Sequence, residues 1–138
     1  MRVLADTSVW SLALRRSARA KLSVGEERLR SELAEAIRHG AVVIIGPIRQ
    51  ELLSCIREQA HFERLKLALQ AFRDEPLETR DYEEAARFFN LCRRQGVQCG
   101  PVDILICAAA ARRNWQVATS DTVLQRCLNL IAHHKGQI

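Results

Sequence analysis

The feature that most constrains this chain is the alternation of short apolar runs with longer segments of helical spacing. The runs lie within MRVLAD, AVVIIG and WQVATSD, and AVVIIG gives the strongest strand signal because it is β-branched, uncharged and closed by Gly46–Pro47. Strands that alternate with helices predict an α/β fold with a mainly parallel central sheet. The length of 138 residues predicts one domain over 1–138, with no internal repeat.

Apolar residues at helical spacing predict the helices between these runs. They are expected over residues 8–16, 26–39, from Pro47 onward, 61–73, 81–96 and 101–114. Asp81 followed by Glu84 resembles a capping box for the helix that ends at Gly96. Two weaker strand signals lie over 75–78, as an edge strand, and over 128–132, as a last strand. A short helix or tail is also predicted to close the chain after Asp121.

Composition narrows the class of protein. Apolar residues make up 48% of the chain and charged residues 27%, which is typical of a globular protein. No apolar run approaches the ~20 residues of a membrane span. The first apolar stretch is interrupted at Asp6, which makes a poor secretory signal, so we expect a cytoplasmic protein without membrane contact.

The five cysteines predict neither a zinc ribbon nor a redox motif, because no two form a CxxC pair. An irregular zinc site remains as an alternative, and its ligands would be Cys92, Cys99, His133 and His134. Ordinary buried thiols in a reducing compartment are the favoured interpretation.

A net charge of +5 favours a polyanionic partner such as nucleic acid, although weakly. Basic residues cluster in three places: Arg15, Arg16, Arg19 and Lys21; Arg93 and Arg94; and Arg112 and Arg113. Each cluster taken alone is more often a solvated helix face or helix end than a binding site. Arg93 and Arg94, just before Gly96, also suit the negative end of a helix macrodipole.

Four carboxylates are predicted to meet at one edge of the sheet. Asp6 ends the first strand and Asp121 ends the last clear strand, while Glu51 and Asp103 fall in the early turns of their helices. Ligands of parallel α/β sheets bind beyond the carboxyl ends of the strands, where these four residues map. Each residue also has an ordinary explanation: Asp6 and Asp121 as helix N-caps, Asp103 as a dipole partner, and Glu51 as an exposed helix residue.

Asp103 is the acid that most needs a compensating charge, because in GPVDILICAAAA it is the only charge between Val97 and Ala111. An ionised carboxylate beside an apolar helix start is costly unless something compensates it. Two unit charges 4 Å apart interact by about 4 kcal/mol at an effective dielectric of 20, so neighbouring carboxylates add to the cost. Oxygen ligands without histidine or thiolate select Mg²⁺ or Mn²⁺, and we predict that such an ion is shared by Asp6 and Asp103.

Four stretches of the chain resemble the PIN-domain family, and specifically its VapC-type toxins. LADTS carries the first acid, Asp6, and GPIRQELL the second, Glu51; GPVDILICAAAA carries Asp103, and VATSD carries Asp121. Their order, their spacing and the chain length all fit the family, and the resemblance covers nearly the whole chain.

The resemblance implies a three-layer α/β/α sandwich that acts as a Mg²⁺- or Mn²⁺-dependent endoribonuclease, forms a homodimer and binds a cognate antitoxin. Asp6 and Asp103 would be the principal metal ligands, and Glu51 and Asp121 would complete the acidic pocket. The hydroxyls expected to hydrogen-bond carboxylates or waters are those of Thr7, Ser8, Thr119 and Ser120. The chain departs from the family at Cys107, where alanine is usual, and in TVL after Asp121, where many members have another acid and an aromatic. The second departure leaves open whether the site binds a second metal ion.

Other functions remain open at this point. A PIN-like domain that binds RNA or protein without catalysis is the main alternative. A phosphohydrolase commonly needs Asp-x-Asp, but the third position here is Ser8; a phospho-acceptor domain needs a late-strand lysine, and 115–121 contain none. An antitoxin helix could dock on an apolar patch of Leu12, Leu14, Leu52, Leu53 and Ile56, although we expect at least half of these to be core.

Overall fold

The computed structural model describes residues 1–14 and 21–134, which form three strands and seven helices. The strands are β1 (Val3–Ala5), β2 (Val42–Val43) and β3 (Gln116–Ala118). The helices are α1 (Thr7–Leu14), α2 (Val24–Arg38), α3 (Gly46–Leu53), α4 (Gln59–Leu69), α5 (Thr79–Arg94), α6 (Pro101–Arg113) and α7 (Thr122–His133). No helix in the described ranges is both long enough and apolar enough to cross a bilayer.

The three strands form one parallel sheet in the order β2-β1-β3. Leu4 sits at its centre, paired with Val43 on one side and Val117 on the other, and it is fully buried. Because β1 is the middle strand, the residue that follows it emerges at the centre of the sheet edge. That residue is Asp6.

The connections place helices on both faces of the sheet, as predicted. The chain leaves β1 through α1 and α2 to reach β2 on one side, then travels through α3 to α6 to reach β3 on the other side. Parallel crossovers are right-handed, so two crossovers that run in opposite directions cover opposite faces. The contacts agree for most of the helices, since α1 packs on α2, whereas α5, α6 and α7 pack on one another. Helix α3, the first helix of the second crossover, still packs on α1. The result is a three-layer α/β/α sandwich.

The apolar residues proposed as a possible docking patch belong to the core. Leu12 and Leu52 are buried, and Leu14, Leu53 and Ile56 pack against the core from partly buried positions. These five side chains therefore do not form an exposed patch on which an antitoxin helix could dock.

Asp81 anchors the second helical layer. It is fully buried, and its carboxylate accepts hydrogen bonds from Arg112 Nη1 at 2.7 Å and from Arg113 Nη1 and Nη2 at 2.6 and 2.9 Å. Its Oδ2 also accepts from the backbone N–H of Glu78 at 2.7 Å. The bonds from Arg113, helped by those from Glu78 and Arg112, outweigh burial and hold the pKa of Asp81 well below its usual range. Arg112 and Arg113 therefore serve an internal ion pair and are not a free basic cluster.

The same contacts correct the predicted capping box. Helix α5 begins three residues earlier than expected, with Glu78 as its N-cap and Asp81 as the reciprocal partner at the third helical position. The expectation was wrong because it assigned Asp81 to the cap itself, whereas the buried Asp81 carboxylate lies at the third helical position, where it binds Arg112 and Arg113.

Both weaker strand predictions were wrong. Residues 75–78 form no strand; pairing stops at an isolated bridge between Ile44 and Asp74, and Pro76 lacks the N–H that would continue it. Residues 128–132 belong to α7. This short apolar run fits a strand or a helix, and the helix forms because Leu124, Cys127, Leu128 and Ile131 at helical spacing face the core.

We expect Asp81→Asn to destabilise the protein by about 3–5 kcal/mol at pH 7, because it leaves two arginines without their buried counter-charge. Since the pKa of Asp81 is lowered on folding, its contribution is complete above the ordinary carboxyl pKa of about 4 and is lost as pH falls below that value. Urea unfolding of the variant and the wild type at pH 7 and pH 3 measures both effects.

The matched control for this experiment is Glu35→Gln, which removes an exposed carboxylate paired with Arg38 within α2. Such surface pairs contribute about 0–1 kcal/mol. Equal losses in the two variants would contradict an anchoring role for Asp81.

Candidate acidic active site

A cleft of about 580 Å³ opens at the carboxyl edge of the sheet, and all four predicted acids line it. Asp6 follows β1, Asp121 follows β3, Glu51 lies in α3 and Asp103 in the first turn of α6. The cleft falls between β1 and β3, whose following helices depart to opposite faces. Such a point is where open α/β sheets leave a crevice.

Asp6 is held in place by hydrogen bonds to both carboxylate oxygens. It is only 4% exposed. Its Oδ1 accepts from Ser8 Oγ at 2.6 Å and from the Val9 N–H at 3.2 Å, while Oδ2 accepts from Thr119 Oγ1 at 2.5 Å. The bond from Val9 is the helix cap foreseen from sequence, and the two hydroxyls are additional.

The hydroxyls of Ser8 and Thr119 also connect Asp6 to the segment that follows β3. Ser8 Oγ accepts from the Ser120 N–H at 3.0 Å, and Thr119 Oγ1 accepts from the Asp121 N–H at 2.9 Å. At Ser120 it is the backbone N–H that joins this network, while the hydroxyl makes no hydrogen bond to a described residue; its predicted contact with a carboxylate or a water stays a prediction.

Glu51 and Asp121 each have a definite local partner. Thr7 Oγ1 donates to Glu51 Oε1 at 2.6 Å and thereby joins the start of α1 to α3. Asp121 is the N-cap of α7, and its Oδ1 accepts from the N–H groups of Val123 and Leu124 at 2.8 and 3.2 Å. Asp121 thus caps α7 and also lines the cleft.

Asp103 differs from the other three acids because it has no hydrogen bond or ion pair with any described residue. Burial, followed by the charges of Asp121, Asp6 and Glu51, raises its pKa to about 6. None of the four acids is paired with a lysine or arginine in residues 1–14 and 21–134. In the described structure, the negative charge of the cleft can therefore be neutralised only by protons or by a bound cation.

The donor set fits a hard divalent cation, although the carboxylates are not closed around one. Among the residues described, no three His, Cys, Asp or Glu side chains are already arranged to hold a metal ion. The cleft is nevertheless lined by four carboxylate side chains, and hard oxygen ligands suit Mg²⁺ or Mn²⁺. Asp103 has no hydrogen bond to a described residue that it would have to break in order to bind an ion.

The alternative zinc site is not formed in the described residues. Cys92 and Cys99 are buried, and their thiols lie with those of Cys107 and Cys127 between α5, α6 and α7. Burial, together with the neighbouring thiols, raises the pKa of Cys92 and of Cys127 to about 12, as expected for inert core thiols.

Sequence reasoning missed three cleft residues beside Glu51, namely Gln50, Ser54 and Cys55. Cys55 is exposed and has a φ of +66°, a left-handed conformation that favours glycine or asparagine. No sequence signal predicts such a turn at cysteine. The positions of Gln50 and Ser54 follow once α3 is placed with Glu51 toward the cleft.

Comparison with known proteins agrees with this architecture. A family model described as PIN domain matches residues 3–127. A solved structure described as FitAcB from Neisseria gonorrhoeae superposes with a TM-score of 0.71 at 22% sequence identity, covering 92% of this chain and 93% of that one. At this identity the likeness establishes the fold alone. Among curated proteins, none matches significantly.

We expect Asp103→Asn to stabilise the metal-free protein at neutral pH. The pKa of Asp103 is raised on folding, so the wild type loses stability as pH rises from about 4 to about 6 and carries the full penalty above that range. The neutral amide avoids this penalty, and we expect a gain of about 1–2 kcal/mol at pH 7.5 that disappears below pH 4. Chemical unfolding in EDTA measures it.

Glu83→Gln is the control for charge alone, because it removes an exposed carboxylate of α5 away from the cleft. A loss of stability in Asp103→Asn at pH 7.5 would contradict the account of a strained, uncompensated carboxylate.

Proposed function

This chain belongs to the PIN domain family, and we propose that it is a Mg²⁺- or Mn²⁺-dependent endoribonuclease. In this proposal it is the VapC-type toxin of a toxin–antitoxin pair. One observation supports this most strongly: Asp103 has no partner in the described chain and faces three further carboxylates in one cleft. A site that collects negative charge without cationic side chains is suited to a divalent ion.

In this proposal Asp6 and Asp103 are the principal metal ligands, and Glu51 and Asp121 complete the ion's surroundings. When bound, the ion would supply a Lewis acid and lower the pKa of a coordinated water. The protein's part is to hold the acids in place. Thr119 and Ser8 fix both oxygens of Asp6, and Thr7 holds Glu51 toward the cleft.

Asp103 is the acid whose charge would respond most to a bound ion, because burial and the neighbouring acids raise its pKa to about 6. Near neutral pH its raised pKa brings it close to the range in which it exchanges a proton, and a cation would favour the carboxylate form. Hydrolysis by water at phosphorus, with O3′ as the leaving group, would give 5′-phosphate and 3′-hydroxyl ends. Single-stranded or looped RNA presents its backbone to such a cleft most readily.

The partners follow from the resemblance to VapC-type toxins. We propose a cognate antitoxin, a homodimer, a cytoplasmic location and a single domain over residues 1–138. The five apolar residues first considered for antitoxin docking do not support this part of the proposal, because they pack in or against the core.

A PIN-like domain that binds RNA or protein without catalysis is the second candidate. It is favoured by one specific observation, namely that no three acidic, histidine or cysteine side chains of residues 1–14 and 21–134 are already arranged around a metal position. In that case the acids would form a negatively charged pocket without turnover.

Cleavage assays separate the two candidates. We expect the purified protein to cut single-stranded RNA with Mg²⁺ or Mn²⁺, to stop in EDTA, and to lose at least about 10²-fold in rate on Asp6→Asn or Asp103→Asn. Glu83→Gln should cut as the wild type does. Activity that persists in EDTA, or in both aspartate variants, would remove the nuclease assignment, whereas metal binding without cleavage across several RNAs would favour the binding domain.

We expect Thr119→Val to weaken Mn²⁺ binding by about 10- to 100-fold, because it removes the hydroxyl that fixes Asp6 Oδ2 and accepts from the Asp121 N–H. Calorimetric titration with Mn²⁺ measures the affinity, and Thr119→Ser, which keeps the hydroxyl, should restore most of it. Equal affinity in the valine variant would show that Asp6 needs no such support.

A further inference from the structure

The cleft cannot attract an RNA strand by itself. Its lining contains four carboxylates, and no lysine or arginine of the described residues is among the side chains that line it. A polyanion that crosses the cleft needs positive charge on the walls beside it, since phosphate neutralisation dominates the affinity of nucleic-acid binding. Arginines that are exposed, unpaired and close to these walls would supply that charge.

Arg93 and Arg94 meet these conditions on one wall. They lie in the last turn of α5 and are exposed, and their side chains make no ion pair or hydrogen bond with any described residue. The chain reverses directly after them, because Gly96 has a φ of +77° and the Val97 N–H donates to the Cys92 carbonyl at 2.8 Å.

This reversal brings the two arginines to the cleft end of α6. Helices α5 and α6 pack against each other, and packed helices lie about 8–10 Å apart. Since residues 95–100 alone join them, the end of α5 lies beside the start of α6, where Asp103 occupies the first turn.

The linking segment is anchored to the core and to the cleft wall. Cys99 is 2% exposed, and its thiol contacts those of Cys107 and Cys127. Gly100 lies against Asp103, since a Cβ built on it would be 3.8 Å from Asp103 Oδ2. The arginines therefore project from a fixed turn.

Arg57 supplies the corresponding charge on the opposite wall. It is exposed and unpaired in the described chain, and it follows Cys55, a lining residue of the cleft, by two positions. Two residues span at most about 7 Å, and an arginine side chain can cover a similar distance back toward the cleft.

Arg112 and Arg113 provide a contrast on the same helix. They lie at the far end of α6 from Asp103, about 14–15 Å along its axis, and both bind Asp81. Arg15, Arg16 and Arg19 of the first basic cluster lie outside the described residues. Of the predicted basic clusters that the structure describes in full, Arg93–Arg94 combines unpaired charge with a place beside the cleft.

We propose that Arg93 and Arg94 on one wall and Arg57 on the other bind phosphates of a single RNA strand, so that the strand crosses the acidic cleft between them. The proposal rests on the proposed function, because it names where the substrate of that site is held. Its bonds are charge-assisted and directed to phosphate oxygens, so the contact is independent of base sequence.

Binding can be measured without cleavage in the Asp103→Asn background with Mg²⁺ present. A fluorescein-labelled single-stranded RNA is titrated by anisotropy at several KCl concentrations. Each of Arg57→Ala, Arg93→Ala and Arg94→Ala should weaken binding about 3- to 10-fold at 0.1 M KCl and reduce the log–log salt slope by about 0.7, the value for one phosphate on a single strand.

Two controls define the result. Arg64→Ala removes an exposed, unpaired arginine of α4 and should leave affinity and slope unchanged. Arg93→Lys keeps the charge and should retain most of the slope. Equal losses at Arg64 and Arg93, or an unchanged slope in all three alanine variants, would overturn the proposal.

The outcomes also separate this inference from the nuclease proposal. If the wild type cuts RNA but the three alanine variants bind it as tightly as Arg64→Ala does, the inference fails and the nuclease stands. If the slope changes as expected but no metal supports cleavage in the wild type, the binding surface stands and the nuclease fails.

Discussion

The mutual repulsion of four carboxylates at one edge of a small parallel sheet is the constraint on which the rest of the structure depends. Three of them are stabilised locally: Asp6 by two hydroxyls and a backbone N–H, Glu51 by Thr7, and Asp121 by the start of α7. Asp103 has no such partner in the described chain, and burial, followed by the charges of the other three acids, raises its pKa to about 6. The protein thus retains an unfavourable charge arrangement that a cation would relieve, a pattern typical of functional sites.

The architecture makes this arrangement unavoidable. With β1 in the middle of the order β2-β1-β3, the residue after β1 and the residues after β3 must emerge side by side. The hydroxyls of Ser8 and Thr119 then join those two segments around Asp6. At the other end of α6, Asp81 binds Arg112 and Arg113 in the reverse arrangement, a buried acid fully compensated by arginine. The contrast between Asp81 and Asp103 separates a structural carboxylate from a candidate functional one.

Much of this could be predicted from the sequence, because the decisive signals are local. The alternation of strands and helices predicts an α/β fold with a parallel sheet, and the family resemblance implies its three layers. Acids placed just after strands predict where their side chains gather. The failures involve interactions between distant residues. Residues 128–132 fit a strand or a helix equally until the core selects one face, and nothing local shows that Asp81 receives two arginines from α6. The same limit applies to Cys55, whose left-handed backbone follows from how α3 ends.

The central claim is that the acids of this edge share a divalent ion. A crystal structure of the protein grown with saturating Mn²⁺, with anomalous diffraction measured at the manganese edge, tests it most directly. The account predicts an anomalous peak in the cleft with oxygens of Asp6 and Asp103 drawn toward it. A cleft that stays without manganese at saturating concentration, or manganese bound only elsewhere on the surface, would contradict it.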